Sequence, residues 1–435
     1  MRRSALVVGL AALLAGRAEA QDSLRLTARE AVDRAVRSHP DLIDARQARA
    51  AALARADGSR ATYLPRVSLE WSAMRSDDPV AVFGSKLRQG IFAAPDLALD
   101  ALNSPSPITN TSIGVTVEQP LVVAEGWLGR RAAIRGAEAG RLFEGRAEQL
   151  TAFDAIRAYF GAVVAKASVE AVDSGLVAGN RVLDRVRALR REGVVTAVDE
   201  QLALARVSEL ESQRAMAEAE RIAAVDRMLV LLGEDPGSPV SFVDPLEAAA
   251  AGGSEGTRLD LAGLEAAAAA TEANVDRVRA QWLPSLAAFG SLGWNQGRLG
   301  AFGGPSTWTA GLVVRWNVFG GYADVAALRA ARAERTAALA RLDAGERQAA
   351  AEVRAAEARV AAAEIALGAA ERALEHAIEA ARIAEARYAG GVGTISELLA
   401  VRAAETSHRL ARLQALYQTR LAAAALTLAR GGMPE

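Results

Sequence analysis

The sequence predicts a mainly α-helical protein with a small β part, in which one helix–strand–strand–helix unit is written twice. Three observations predict it. First, distant segments match in register: Leu64-Pro65 with Leu283-Pro284, 219 residues on, and Gly193-Val194-Val195-Thr196 with Gly391-Val392-Gly393-Thr394, 198 residues on. Second, two short stretches in each copy alternate apolar and polar residues, as strands with one buried face do. Third, half of the residues are apolar but only 5% are aromatic. The apolar share is therefore largely alanine, which builds thin helices that pack closely.

In chain order, Arg2 and Arg3 precede an apolar run over 5–15 and the small-residue pattern Ala18-Glu19-Ala20. Residues 1–20 thus read as a secretory signal peptide. The chain has no cysteine, so neither N-terminal lipidation nor a disulfide framework is available. The first repeat, 21–236, opens with the capping box Thr27-x-x-Glu30 and a helix to Ser38. Pro40 suits the first turn of a second helix, which Tyr63-Leu64-Pro65 ends. A strand over 66–74 sets Val67, Leu69, Trp71 and Ala73 against Arg66, Ser68, Glu70 and Ser72. Residues 75–110, rich in Pro, Asp, Asn and Ser, predict a long loop with a short helix over 95–102. A second strand, 111–119, sets Ile113, Val115 and Val117 against Ser112, Gly114, Thr116 and Glu118, and Gln119-Pro120-Leu121 closes it.

Helix then resumes from about residue 124 to 191 with a reversal expected at 172–176, breaks at 192–194, and continues over 197–232. A linker, 237–256, leads to the second repeat, 257–435. That repeat holds a helix over 259–282, strands over about 285–294 and 307–316, and a helix over 322–388 with its reversal near Gly368. The break Gly390-Gly391-Val392-Gly393 precedes a last helix over 394–430.

Four strands cannot close a barrel, and open edges are not tolerated in lipid. The strands are long enough, at about 9 to 11 residues, for a tilted barrel in an outer membrane. Several chains must then share one barrel. Trp71, Trp294, Trp308 and Trp316, four of the six tryptophans, fall in or at the ends of these strands, where an interfacial girdle would place them. The competing arrangement is a soluble sandwich with the tryptophans in its core. In the barrel, alternation directs Arg66, Ser68, Glu70, Thr116, Glu118, Thr307, Thr309 and Arg315 to the lumen, and Val67, Leu69, Val115, Val117, Leu312 and Val314 to lipid. In the third strand both Phe289 and Leu292 favour lipid, so a bulge or kink at Gly290 or Gly293 is expected.

The order of these segments, together with His39-Pro40-Asp41-Leu42, the two Leu-Pro pairs, Glu118-Gln119-Pro120-Leu121 and the paired glycine breaks, resembles the TolC-type outer-membrane efflux channel family. The chain departs from an even repeat in two places: Leu259 stands where the first copy has Pro40, and Asn317-Val318-Phe319 replaces Gln119-Pro120-Leu121. The resemblance implies a homotrimer whose twelve strands form one outer-membrane β-barrel, continued by a periplasmic α-helical barrel. It implies a passive exit duct of a tripartite efflux pump or a type I secretion system, with a periplasmic adaptor and an inner-membrane transporter as partners. It places Gly193 and Gly391 in an equatorial belt. The loop between the first two strands is long enough to cover the outer mouth.

No catalytic constellation stands out. His39, His376 and His408 lie far apart without a second ligand at metal spacing, and the glycine break lacks the Lys-Ser/Thr of a phosphate loop. No cofactor or metal is implied. Charges of both signs are interspersed and net to −1, with no basic tract for nucleic acid. Residues near the expected reversals, Asp173, Glu364, Glu371 and Arg372, are candidates for a periplasmic gate closed by pairing across chains. A soluble periplasmic coiled-coil adaptor is the alternative function, and an enzyme a distant third.

Overall fold

The computed structural model describes residues 24–247, 255–299 and 304–434. The expected signal peptide and residues 248–254 of the expected linker lie outside them. The described chain is mostly helix with a small strand part. Its order is β1 (Leu24–Leu26), α1 (Ala28–Ser38), α2 (Pro40–Gly58), β2 (Arg66–Ser76), α3 (Pro79–Arg88), α4 (Leu99–Asn103), β3 (Ile108–Val122), α5 (Ala124–Arg191) and α6 (Ala197–Leu232). There follow β4 (Val240–Phe242), α7 (Leu259–Arg279), β5 (Ser285–Gln296), β6 (Ser306–Arg315), α8 (Ala323–Ala389) and α9 (Ile395–Ala429). The chain divides into two compact units, and α2, α5 and α8 contribute to both.

The first unit comprises 44–146 and 259–348 and holds a four-stranded antiparallel sheet in the order β2-β3-β5-β6. The same device delivers the chain to β2 and β5. Helices α2 and α7 tighten into 3-10 turns, Ser59–Tyr63 and Ala280–Trp282, and then meet a Leu-Pro pair. Proline disfavours helix at the residue before it, and Leu64 and Leu283 are both extended, with ψ of 148° and 146°. The helices flanking the sheet approach closely because glycine and alanine line their seams. A Cβ on Gly263 would come within 2.7 Å of the Phe143 ring, and one on Gly345 within 2.7 Å of Leu264.

The second unit comprises residues up to 43, 147–258 and 349 onward. Its densest packing surrounds Tyr159, fully buried among Leu26, Ile156, Phe160, Met228 and Leu229. The Tyr159 hydroxyl donates to the Leu26 carbonyl at 3.0 Å and accepts from the Asp244 amide at 3.2 Å. Burial pushes its pKa up to about 12. These bonds fasten β1 and β4, which pair in parallel, onto α5. The segment read as a linker is thus partly structural: Val240–Phe242 supplies a strand, and sequence reasoning missed its partner Leu24–Leu26.

Three other expectations are corrected. Strand β3 continues through Pro120 to Val122, because a register shift between Pro120 and Val122 accommodates a residue with no N–H. The long loop carries α3 as well as the expected short helix. Asp78 caps α3 by accepting from the Ala81 amide at 2.8 Å, and Pro79 stands in its first turn. No reversal occurs at 172–176 or at Gly368, where α5 and α8 run straight through. An isolated glycine costs a helix only about 1 kcal/mol, neither segment holds a proline, and the Ser174 hydroxyl donates back to the Glu170 carbonyl within α5 rather than capping a new helix.

Candidate functional site

Two features stand out, the sheet in one unit and a pair of helical turns in the other. Directly opposed residues in an antiparallel sheet share a face. The register therefore places Leu69, Val115, Leu292 and Trp308 in one row, flanked by Val67, Val117, Gly290 and Ala310 and by Trp71, Ile113 and Trp294. This face is uncovered: Leu69 is 68% and Trp308 78% exposed. Contiguous apolar area of this kind marks contact with another apolar phase.

On the other face lie all eight residues expected to be polar-facing. Arg66 stands opposite Glu118, Ser68 opposite Thr116, Ser291 opposite Thr309, and Gly293 opposite Thr307. Glu70 lies on the same face of β2. Arg315 Nη1 donates to Glu118 Oε1 at 2.8 Å, reaching from β6 over the intervening β5.

The phase of β5 is settled without a bulge, since it pairs with β6 continuously from Ser285 to Trp294. Leu292 takes the apolar face. Phe289 takes the polar one, where its ring lies over Gly311; a Cβ there would come within 3.1 Å of it. The expected kink at Gly290 or Gly293 is absent because a glycine on the neighbouring strand makes room for the ring.

Aromatic residues mark both ends of the apolar face. Trp294 and Trp308 lie toward the loop ends of β5 and β6, and Trp71, midway along β2, shares the row of Trp294. Trp316, just past β6, lies at the helical end and donates its indole N–H to the Trp282 carbonyl at 3.0 Å. Eight residues separate Trp308 from Trp316, roughly 27 Å of strand, or roughly 19–22 Å along the membrane normal at the usual barrel tilt, which spans most of the ~25 Å apolar band of an outer-membrane barrel.

The helical turns repeat one motif. Gly193 and Gly391 each adopt a left-handed φ of 75°. After α5, the Gly193 amide donates to Arg190 O and the Val194 amide to Leu189 O; after α8, Gly391 donates to Tyr388 O and Val392 to Arg387 O. Both are Schellman caps, which need φ > 0 at the glycine. Thr196 and Thr394 then cap the next helices, accepting from the Asp199 and Glu397 amides.

Beyond each turn the chain doubles back. Asp173 pairs with Arg214 at 2.6 Å, Arg187 with Glu200 at 3.4 Å, and Arg190 with Glu200. In the second copy Arg387 pairs with Glu397 at 3.0 Å, Glu371 with Arg412 at 3.5 Å and Glu357 with Arg430 at 2.9 Å. The partners' positions fall on one side of the turn as they rise on the other, so α5–α6 and α8–α9 are antiparallel hairpins. The stem pairs Asp173–Arg214 and Glu371–Arg412 occupy equivalent positions of the two copies, a repeat that sequence reading missed.

Gly193 and Gly391 are thus hairpin turns, which corrects their placement in an equatorial belt. Asp173, Glu364, Glu371 and Arg372 lie in the stems. Asp173 and Glu371 stand 20 residues before their turns, about 30 Å at 1.5 Å per residue, and each is bound to an arginine of its own chain. The ground for reading the four as tip residues is removed. The two turns lie together: Val182, Leu183 and Val186 of one hairpin share a buried cluster with Tyr388, Ile395 and Leu398 of the other. Val194 and Val392 remain 65% and 72% exposed.

Among the described residues no His, Cys, Asp and Glu side chains group to hold a metal ion, and no helix is long and apolar enough to cross a membrane. The outer membrane efflux protein family model matches residues 31–234 and 254–432. The chain belongs to the outer membrane efflux protein family. The family comprises channels, not enzymes. No curated protein sequence matches this efflux protein, but solved channels share its fold. It resembles the CmeC outer membrane channel of Campylobacter jejuni with a TM-score of 0.80 at 18% identity, over 94% of this chain and 86% of that one. A membrane protein from Pseudomonas aeruginosa gives 0.78 at 22% identity, over 93% and 90%. VceC from Vibrio cholerae gives 0.76 at 18%, over 94% and 97%.

Proposed function

We propose that this efflux protein forms, as a homotrimer, a passive exit duct across the outer membrane for a tripartite efflux pump or a type I secretion system. The observation that carries this reading is the sheet: one uncovered apolar face bounded by tryptophans, one polar face, and outer edges on β2 and β6 that no described strand pairs. Such edges must be satisfied inside lipid, and closure by copies of the same chain does so. Copies of four strands allow barrels of eight or twelve. Eight strands enclose little more than their own side chains, so twelve is the smallest closure that leaves a channel. Residues 1–20 direct export. The helical hairpins extend the path in the periplasm, and their turns meet a periplasmic adaptor and an inner-membrane transporter. Such a duct moves solute down a path made by others' work and needs no reactive group.

Detergent extraction of the outer membrane followed by mass determination tests this. A particle of three chains, recovered only with that membrane, is expected. A soluble periplasmic monomer would overturn the duct and favour a bridging coiled-coil protein.

A further inference from the structure

We propose that residues 77–107 form a lid over the outer mouth, closed by contact between the same inserts of neighbouring copies around the channel axis. The proposal rests on the duct reading, which makes the polar face of the sheet the lumen face. The insert is a folded element. Lys86 Nζ pairs with Asp96 Oδ1 at 2.7 Å, and the Phe83 and Phe92 rings meet edge to face at 5.0 Å. One side of α3 is buried at Val82, Ser85 and Gln89.

What holds it down identifies its side of the sheet. Gln89 Nε2 donates to Thr109 O and to Asn110 Oδ1, both at 2.9 Å, and Asn110 Nδ2 donates to Asn295 Oδ1 at 3.1 Å. All three amide side chains are buried, so breaking the chain would leave unpaired polar groups at a cost of about 1–3 kcal/mol each. By strand alternation Asn110 and Asn295 belong to the polar face, with Ser112 and Gly293. The insert therefore lies on the lumen side, at the loop ends of the strands.

Its opposite side is apolar. Val80 is 80% exposed, and Leu87, Ile91, Leu97 and Leu99 are exposed as well. A helix buried against the sheet on one side and apolar on the other is a helix meant to be covered on both. Lipid lies across the sheet and cannot reach it. Inside a closed barrel the solid surface facing one insert is another copy's insert, so the inserts cover each other. Their meeting would narrow the mouth with an apolar ring, which bars water and hydrated solutes by dewetting.

The chain has no native cysteine, so one introduced thiol reports proximity. Ile91→Cys is expected to cross-link copies within the trimer under mild oxidation, whereas Leu69→Cys on the lipid face is not. Leu87→Asp with Ile91→Asp, which keeps the buried side of α3 intact, is expected to raise single-channel conductance about twofold or more by wetting the ring. If trimers form and conduct but either result is missing, the lid is overturned. If the unaltered protein forms no trimer or no channel, the duct reading fails, and the lid with it.

Discussion

Gly193 and Gly391 show how much one backbone angle decides. Both hold φ at 75° with no atom within 4 Å of where a Cβ would stand, so substitution meets no clash, only the left-handed penalty. Gly193→Ala and Gly391→Ala are each expected to cost about 1–2 kcal/mol, measured as a lowered unfolding midpoint, with additive effects if the turns act independently. Glu200 adds a pH dependence beside the first turn. The hydrogen bond from Arg190 holds its carboxyl below the ordinary 4.5. A group depressed on folding stabilises above its unfolded pKa and loses that contribution as pH falls through the folded one. Proteolysis at 192–196 is expected to accelerate as the pH falls below 4.5, and Glu200→Gln to abolish the acceleration; an unchanged profile would remove Glu200 from this role.

At the scale of elements, the sheet was legible and the hairpins less so. Period-two alternation in β2, β3 and β6 assigned each face, because residue order alone determines which side a strand side chain takes. Phe289 escaped that logic: its place on the polar face depends on Gly311, a neighbour across the sheet. The turns were visible as glycine breaks, yet the reversals were expected elsewhere, since alanine-rich helices carry too soft a period to show where a rod ends. The stronger signal was a glycine followed within three residues by a capping threonine, which stops one helix and starts another. The face assignment yields a paired test. Val117→Arg places a charge on the apolar face between the two aromatic ends and is expected to cost about 2–4 kcal/mol if it lies near the bilayer midplane, seen as lost outer-membrane assembly. Thr116→Arg, one residue along and on the polar face, is expected to assemble normally. Equal behaviour of the two would contradict the membrane assignment.

For the whole molecule, duplication solves a geometric problem: one chain must supply a sheet segment with two open edges and two hairpins whose turns present the same surface. The matched ion pairs Asp173–Arg214 and Glu371–Arg412 set the two stems in equivalent alignment, and the cluster joining Val186, Tyr388 and Ile395 holds the turns side by side. Val194 and Val392 are thereby exposed in neighbouring turns on helices otherwise studded with charge. Burying a valine against a partner contributes roughly 1.5–3 kcal/mol, and several chains multiply the effect into a usable docking surface. Replacing both by aspartate puts desolvation in place of that gain. Val194→Asp with Val392→Asp is expected to leave particle mass and single-channel conductance unchanged. A photoreactive side chain at Val177, in the stem, and one at Val194, in the turn, then separate the possibilities in cells of the native host. Docking at the turns gives adducts larger than the trimer from position 194 alone, and Val392→Asp weakens them. Adducts from position 177 alone would move the docking surface onto the stems.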